Sequence, residues 1–412
     1  MQVFTGYRCS ICGKEYPPED TMYTCPEDGG ILDVLLDYDR LEGKSVAELI
    51  ISNEESLWRY LPLLPVSRLI GGGTPLRAAG WTPTYSPPGL KEELGLKQLW
   101  IKDESGNPSA SFKDRASALL IARAREIGAE VIVTASTGNA GAALAGMAAS
   151  VGHKSVIFAP KTAPPAKITQ LVIYGARVIL VDDNYDTAYK LSLEATEEFG
   201  WYNRNTGYNP FTAEGKKTAA FEIWEQVLLN QDLDRPLCVF VSVGDGNIIS
   251  GIHKGFKDLY AIGQIKSMPR IFGCQSTGSA AIANAYQAGT EEIKPVEADT
   301  RADSISVNLP SDGLRALRAA TQTRGAYVTV EDTAILQAIA ELGRAGIFAE
   351  PAAAASYAGM KEALRTGQIT ADDPVLVLNT GSGLKDVQAA MQVAPEAPVI
   401  SPELDEVKKL LA

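Results

Sequence analysis

The sequence predicts an α/β fold of two doubly wound domains with a ligand site between them, preceded by a small N-terminal unit. Three observations predict it. Short apolar runs recur at 99–101, 131–135, 156–159, 178–181, 239–243, 271–275 and 375–378. Helical stretches at 116–127, 139–151, 163–174, 185–199, 214–229, 248–261, 331–344 and 351–365 separate most of them. Near-continuous apolar strands alternating with helices form parallel sheets covered on both faces, joined by right-handed crossovers. Finally, 412 residues exceed one ordinary core, since domains run to about 100–200 residues.

Residues 1–36 stand apart from the alternation. Cys9-Ser-Ile-Cys12-Gly is a CxxC knuckle, and Cys25-Pro-Glu-Asp28-Gly repeats its shape with Asp28 in the last ligand position. This makes the unit zinc-ribbon-like. Two readings stay open: a zinc site on Cys9, Cys12 and Cys25, or a ribbon held by its turns and by docking on the main body. Residues 37–109 and 206–395 are expected to make a large α/β domain, and 110–205 a small one. In the first part, 46–55 reads as helical and 71–76 as a glycine-rich turn. The tail, 396–412, is rich in proline and glutamate before a short helix at 406–411.

Composition narrows the partners. The net charge of -12 argues against a nucleic-acid surface, which would be basic. No apolar run approaches the ~18 residues of a membrane span, and the first twelve residues lack a signal-peptide core. Five cysteines, three clustered early and two in apolar runs, fit a reducing compartment, hence the cytoplasm. A small-molecule ligand is the expected partner. His153, His253, Arg177, Arg270 and the pair Glu291 and Glu292 read as structural or solvated surface.

In doubly wound folds ligands bind beyond the carboxyl ends of the strands, so the loops after each apolar run are the places to search. Ser109-Ala-Ser-Phe-Lys113-Asp-Arg115 follows the first run and opens a helix. Helix N-termini favour anions, so an ammonium there has a lowered pKa, which imine chemistry with a carbonyl requires. Ser136-Thr137-Gly138-Asn139 precedes an alanine-rich helix and offers either an anion site or a plain N-cap. Gly244-Asp245-Gly246-Asn247-Ile248 brings glycines to a helix N-terminus, where backbone amides can wrap a phosphate. It is neither a GxGxxG nor a Walker loop. Thr380 follows the last run and presents a neutral hydroxyl. An amine for an aldehyde, a phosphate nest, a polar amide and a hydroxyl for a ring nitrogen together suit pyridoxal 5'-phosphate.

Ser-Phe-Lys-Asp-Arg, Ser-Thr-Gly-Asn, Gly-Asp-Gly-Asn and Thr-Gly-Ser-Gly-Leu-Lys-Asp, in this order, resemble the threonine synthase family, pyridoxal-phosphate enzymes of the tryptophan-synthase-β fold type. The resemblance covers nearly the whole chain. It implies a homodimer, with Lys113 as covalent anchor and proton shuttle and Asn139 on the cofactor's phenolic oxygen. Gly244, Asp245, Gly246, Asn247 and Ile248 would surround its phosphate, and Thr380 its pyridine nitrogen. Ser136, Thr137 and Gly138 would take the substrate carboxylate, with Arg115, Thr206 and Thr212 nearby. The implied reaction turns O-phosphohomoserine and water into threonine and phosphate.

Three departures from the family pattern concern the substrate. Its Asn-Ser-x-Asn-Pro-x-Arg segment reads Thr206-Gly207-Tyr-Asn-Pro-Phe-Thr212 here, without the fork-shaped guanidinium suited to a phosphate. The cofactor loop is one residue short and carries Asp245, and Ala140 replaces a threonine. Arg115, Lys216 or Lys217 are candidates to compensate. The alternative is an ammonia-lyase of the threonine/serine type, in which an unphosphorylated group leaves. An intact Lys113 argues against a ligand-binding protein that has lost its chemistry.

Overall fold

The computed structural model describes residues 3–411. Its larger sheet orders the strands Tyr327–Val330, Arg270–Ser276, Cys238–Ser242, Val375–Asn379 and Leu99–Asp103, all parallel, with antiparallel Thr84–Tyr85 on the edge. The smaller sheet orders Arg177–Val181, Lys154–Pro160, Val131–Ala135 and Tyr202–Asn203, all parallel. A separate antiparallel ribbon is made of Glu15–Tyr16, Phe4–Cys9 and Leu32–Leu36.

Each apolar run read as a strand is one. Two parallel strands carried no such signal. Tyr202–Asn203 is only two residues long, and Tyr327–Val330 lies on a sheet edge with Thr329 partly exposed. The stretch 46–55 is helical only over Val46–Leu49, because the Ile51 N–H turns to the Arg59 carbonyl (2.8 Å). The stretch 214–229 is three pieces, Phe211–Lys216, Thr218–Ile223 and a π-helical turn, Trp224–Leu228. Widened turns of this kind re-aim side chains; here Glu225 reaches Arg59 and Gln226 reaches Lys102 (2.9 Å). Arg270, expected to be solvated, instead donates to the carbonyls of Arg324 and Gln368 (both 3.1 Å).

Small residues let helices lie close to the larger sheet. In Pro351–Arg365, Ala352 to Ala355 are buried, and a Cβ on Gly359 would stand 2.3 Å from Cys274 Sγ. Ser356 Oγ donates to the Leu378 carbonyl (2.9 Å), joining that helix to the central strand Val375–Asn379.

A buried ion network joins the strand Leu99–Asp103 to the helices Lys113–Glu126 and Thr218–Ile223. Arg115, two residues after Lys113, is fully buried. Its Nε and Nη2 donate to Glu104 (2.7 and 2.8 Å), while Nη1 and Nη2 donate to Glu222. Lys102 Nζ pairs with Glu222 at 2.6 Å, and all four side chains are wholly inaccessible. Arg115 is therefore not a substrate ligand: its guanidinium is spent between two carboxylates. A planar fork that serves two partners at once is a role lysine does not fill.

Removing one member of a buried ion network leaves the others uncompensated, at a cost of about 3–5 kcal/mol. Arg115→Ala is expected to lower unfolding stability by that amount in a urea titration, and Arg115→Lys to recover only part of it.

Candidate active site

The loops that follow four different strands converge on one cavity. Lys113 comes from the loop after Leu99–Asp103, Asn139 from that after Val131–Ala135, Gly244 to Ile248 from that after Cys238–Ser242, and Thr380 from that after Val375–Asn379. Thr206, Lys216, Ser304 and Glu350 also line it.

Lys113 is the first residue of the helix Lys113–Glu126. Among the described residues its amine has no hydrogen bond or ion pair. Burial, then the Arg204 guanidinium, lower its pKa to about 8, against the pull of Asp245 and Glu350. The direction is the one expected from the sequence; the larger cause is burial rather than the helix field. Thr380 Oγ1, too, has no partner among the described residues, whereas its carbonyl accepts from Phe112 N–H (2.9 Å).

The phosphate-type cradle is backbone. The helix Asn247–Ala261 begins after Gly246, whose φ is +92°. A Cβ there would stand 2.6 Å from the Asp312 carbonyl oxygen, so only glycine fits the turn. Asp245 does not aim a bare charge at the cradle. Its Oδ1 accepts from Ser311 N–H (2.8 Å) and Oγ (2.7 Å), and burial raises its pKa. Asn247 Oδ1 accepts from Lys216 Nζ (2.6 Å) and its amide donates to Asp312 (2.7 Å). A free amine, a free hydroxyl and a glycine cradle at a helix N-terminus fit an aldehyde-bearing aromatic phosphate.

Asn139 opens the helix Asn139–Ser150 and donates from Nδ2 to both oxygens of Glu350 (3.0 Å each). Ser136, Thr137 and Gly138 sit just before it, outside the cavity lining, and Ser136 Oγ accepts from Gly141 N–H (3.1 Å).

Of the departures from the family pattern, Thr206, Gly207 and Asp245 are joined through Ser311. Gly207 has φ +78°, and a Cβ there would stand 2.1 Å from Ser311 Oγ. Thr206 lines the cavity, and its Oγ1 accepts from Arg204 Nη1 (2.9 Å). Thr212 is different. It is fully buried, donates to the Asn209 carbonyl (2.7 Å) and does not line the cavity, so it is not a substrate ligand. Of the candidates to replace the missing arginine, Lys216 faces the cavity. Lys217 is turned into a buried cluster with Glu214 and Asp258 (2.5 and 2.8 Å).

Two residues escaped the sequence reading. Arg204 is wholly buried, its Nη2 has no partner among the described residues, and burial lowers its pKa to about 10. Its signal was a cation between two asparagines at a strand end. Glu350 is buried on the cavity wall, and burial raises its pKa; its signal was an acid directly before a proline that starts a helix.

A family model described as "Pyridoxal-phosphate dependent enzyme" matches residues 76–381. The chain is 38% identical to a threonine synthase of Methanocaldococcus jannaschii over 410 residues, 98% of each chain. It is 34% identical to that of Methanosarcina acetivorans over 411 residues, again 98% of each. Among solved structures it is similar to diaminopropionate ammonia lyase of Escherichia coli (TM-score 0.66, 20% identity, 86% of this chain and 94% of that one). It is likewise similar to the processed threonine deaminase isoform 2 of Solanum lycopersicum (TM-score 0.65, 24% identity, 76% and 88%). These structural likenesses speak for the fold alone.

A lysine whose pKa is lowered to about 8 has its free amine from about that pH upward, not from the ordinary value near 10.4. The rate at which the cofactor-free chain takes up pyridoxal phosphate, followed by absorbance, is expected to rise through about pH 8 and then level off. Lys113→Ala removes that phase.

Proposed function

The chain belongs to the threonine synthase family of pyridoxal-phosphate-dependent lyases, and on that premise we propose that it converts O-phosphohomoserine and water to threonine and phosphate. The observation that carries this reading is the unpartnered Lys113 amine facing the glycine cradle and Thr380 across one cavity. When bound, pyridoxal phosphate supplies an electron sink for charge developing on the substrate carbons.

In this proposal Lys113 holds the cofactor through its amine, the amides of Gly244 to Ile248 hold its phosphate, and Thr380 offers a neutral hydroxyl to its ring nitrogen. Asn139 lies toward its phenolic oxygen. Once the substrate amine has displaced it, Lys113 acts as a base, first on the Cα proton and then on a Cβ proton. A base with a pKa near the working pH is suited to both taking and returning protons. Phosphate leaves from Cγ, which then takes up a proton; water adds at Cβ, and a proton returns to Cα. Ser136, Thr137 and Gly138 receive the substrate carboxylate at a helix N-terminus.

The substrate phosphate needs cations, and the family's arginine is absent at Thr212. Arg204 behind Thr206, with Nη2 unpartnered among the described residues, supports an anionic substrate group on this side; Lys216 on the wall, whose pKa burial holds well below the ordinary value, gains its charge when an anion stands beside it. We further propose that 110–205 acts as a small domain closing on 37–109 and 206–395, which would exclude water during proton transfer. A homodimer in the cytoplasm completes the reading. Family resemblance supports the first, and five unpaired cysteines support the second.

Incubating the cofactor-loaded chain with O-phosphohomoserine is expected to yield threonine and phosphate in equal amounts. Lys113→Ala should lower the rate by about 10²–10⁴-fold or more, as expected for loss of a general base. Keto acid from serine or threonine, with no phosphate from O-phosphohomoserine, would instead establish the ammonia-lyase.

A further inference from the structure

The N-terminal knuckles take no part in the cavity, yet they gather an unusual set of donors. One atom each of Cys9, Cys12, Cys25 and Asp28 lies within 4.8 Å of all the others. Cys12 Sγ stands 3.9 Å from Cys25 Sγ, and Cys9 Sγ stands 3.3 Å from Asp28 Oδ1. A tetrahedral zinc ion, with Zn–S about 2.3 Å and Zn–O about 2.0–2.2 Å, keeps its ligands about 3.5–3.8 Å apart. These two separations are thus already close to the edges of such a tetrahedron, and a contraction of about 1 Å or less brings in the rest.

The backbone makes the same turn twice. Gly13 N–H donates to the Cys9 carbonyl (3.1 Å), and Gly29 N–H donates to the Cys25 carbonyl (2.9 Å). Both glycines are left-handed, at φ +75° and +70°. Asp28 therefore holds in the second knuckle the place that Cys12 holds in the first. The donors are also oriented by their surroundings. Ile11 N–H donates to Cys9 Sγ (3.3 Å), Gly30 N–H to Asp28 Oδ1 (2.8 Å), and Tyr16 Oη lies 3.1 Å from Cys25 Sγ. A Cβ at position 30 would stand 2.7 Å from Cys9 Sγ and 2.8 Å from Asp28 Oδ1, so a side chain there would displace both donors. Outer contacts of this kind fix the ligands of metal sites.

We infer that Cys9, Cys12, Cys25 and Asp28 bind one zinc ion. Four protein ligands leave no open position, so the ion is structural, and the thiol protons pass to solvent on binding. It closes the ribbon end that docks on the body. There, Arg318 donates to the Ser10 carbonyl, and Arg315 donates to Asp33 of Leu32–Leu36 (2.7 Å). The carboxylate sets the site apart from an all-cysteine ribbon, because structural zinc prefers sulfur. Exchange to a chelator is correspondingly faster than it would be with a fourth thiolate.

The test uses the full chain, purified without chelator, with metal content measured by mass spectrometry and cofactor binding by absorbance. The expected result is one zinc per chain, tetrahedral thiolate absorption after cobalt replacement, and a lower melting temperature once a chelator has removed the ion. Cys25→Ser loses the zinc but still binds pyridoxal phosphate. Asp28→Cys keeps one zinc and releases it to chelator more slowly. The inference is overturned if wild-type chain that binds its cofactor carries no zinc after growth with zinc. It is equally overturned if Cys25→Ser holds as much zinc as wild type, or if iron occupies the site. Because cofactor binding is read separately, failure here leaves the proposed reaction untouched, and the reverse holds too.

Discussion

Four inaccessible charges, Lys102, Glu104, Arg115 and Glu222, hold together the part of the molecule on which the rest depends. They come from a strand end, the turn after it, the first turn of the Lys113 helix and a helix more than a hundred residues further on. Charges taken out of water are tolerated only with full pairing and hydrogen bonding. Here Trp81 and Thr82 N–H groups serve Glu222, while Asn107 serves Glu104. One arrangement satisfies them all, and that arrangement fixes the helix start. Lys113 therefore does not need partners of its own to be positioned. Its amine is left free because the residue two places on carries the structural work.

The opposite wall is built by a second polar chain. Asp33 of the ribbon holds Arg315, Arg315 holds Asp312, Asp312 accepts from Asn247, and Asn247 accepts from Lys216 on the cavity wall. Ser311, next to Asp312, ties Asp245 to the turn at Thr206 and Gly207. Thr206, Gly207, Asp245 and Ser311, scattered over the sequence, are neighbours in the structure. A glycine at 207 makes room for Ser311, and Ser311 gives Asp245 its partners. The ribbon is thus mechanically continuous with the cofactor loop rather than an appendage to it.

Much of this was legible from residues in order. Runs such as 131–135 and 375–378 are buried on both faces, so burial writes an uninterrupted apolar signal into the chain. Loops such as Gly244 to Ile248 follow such runs because ligands bind at strand ends. The edge strand Tyr327–Val330 and the two-residue strand Tyr202–Asn203 carried no comparable signal, since an edge needs less burial and a short strand has no period. Arg115, Lys216, Lys217 and Arg204 were indistinguishable in type. A cation's role depends on which carboxylates reach it, and those lie anywhere from three to more than a hundred residues away.

By itself, then, the sequence determined the fold class, the family, and the pairing of one lysine with one glycine cradle, because each is encoded by local pattern. Only the tertiary structure decided which cations are structural and which face the cavity. Arg115 and Lys217 are consumed by buried acids; Lys216 is not, and Arg204 retains an unpartnered nitrogen. The physical reason is that electrostatic roles are set by distance and burial, which appear only once remote segments have been brought together.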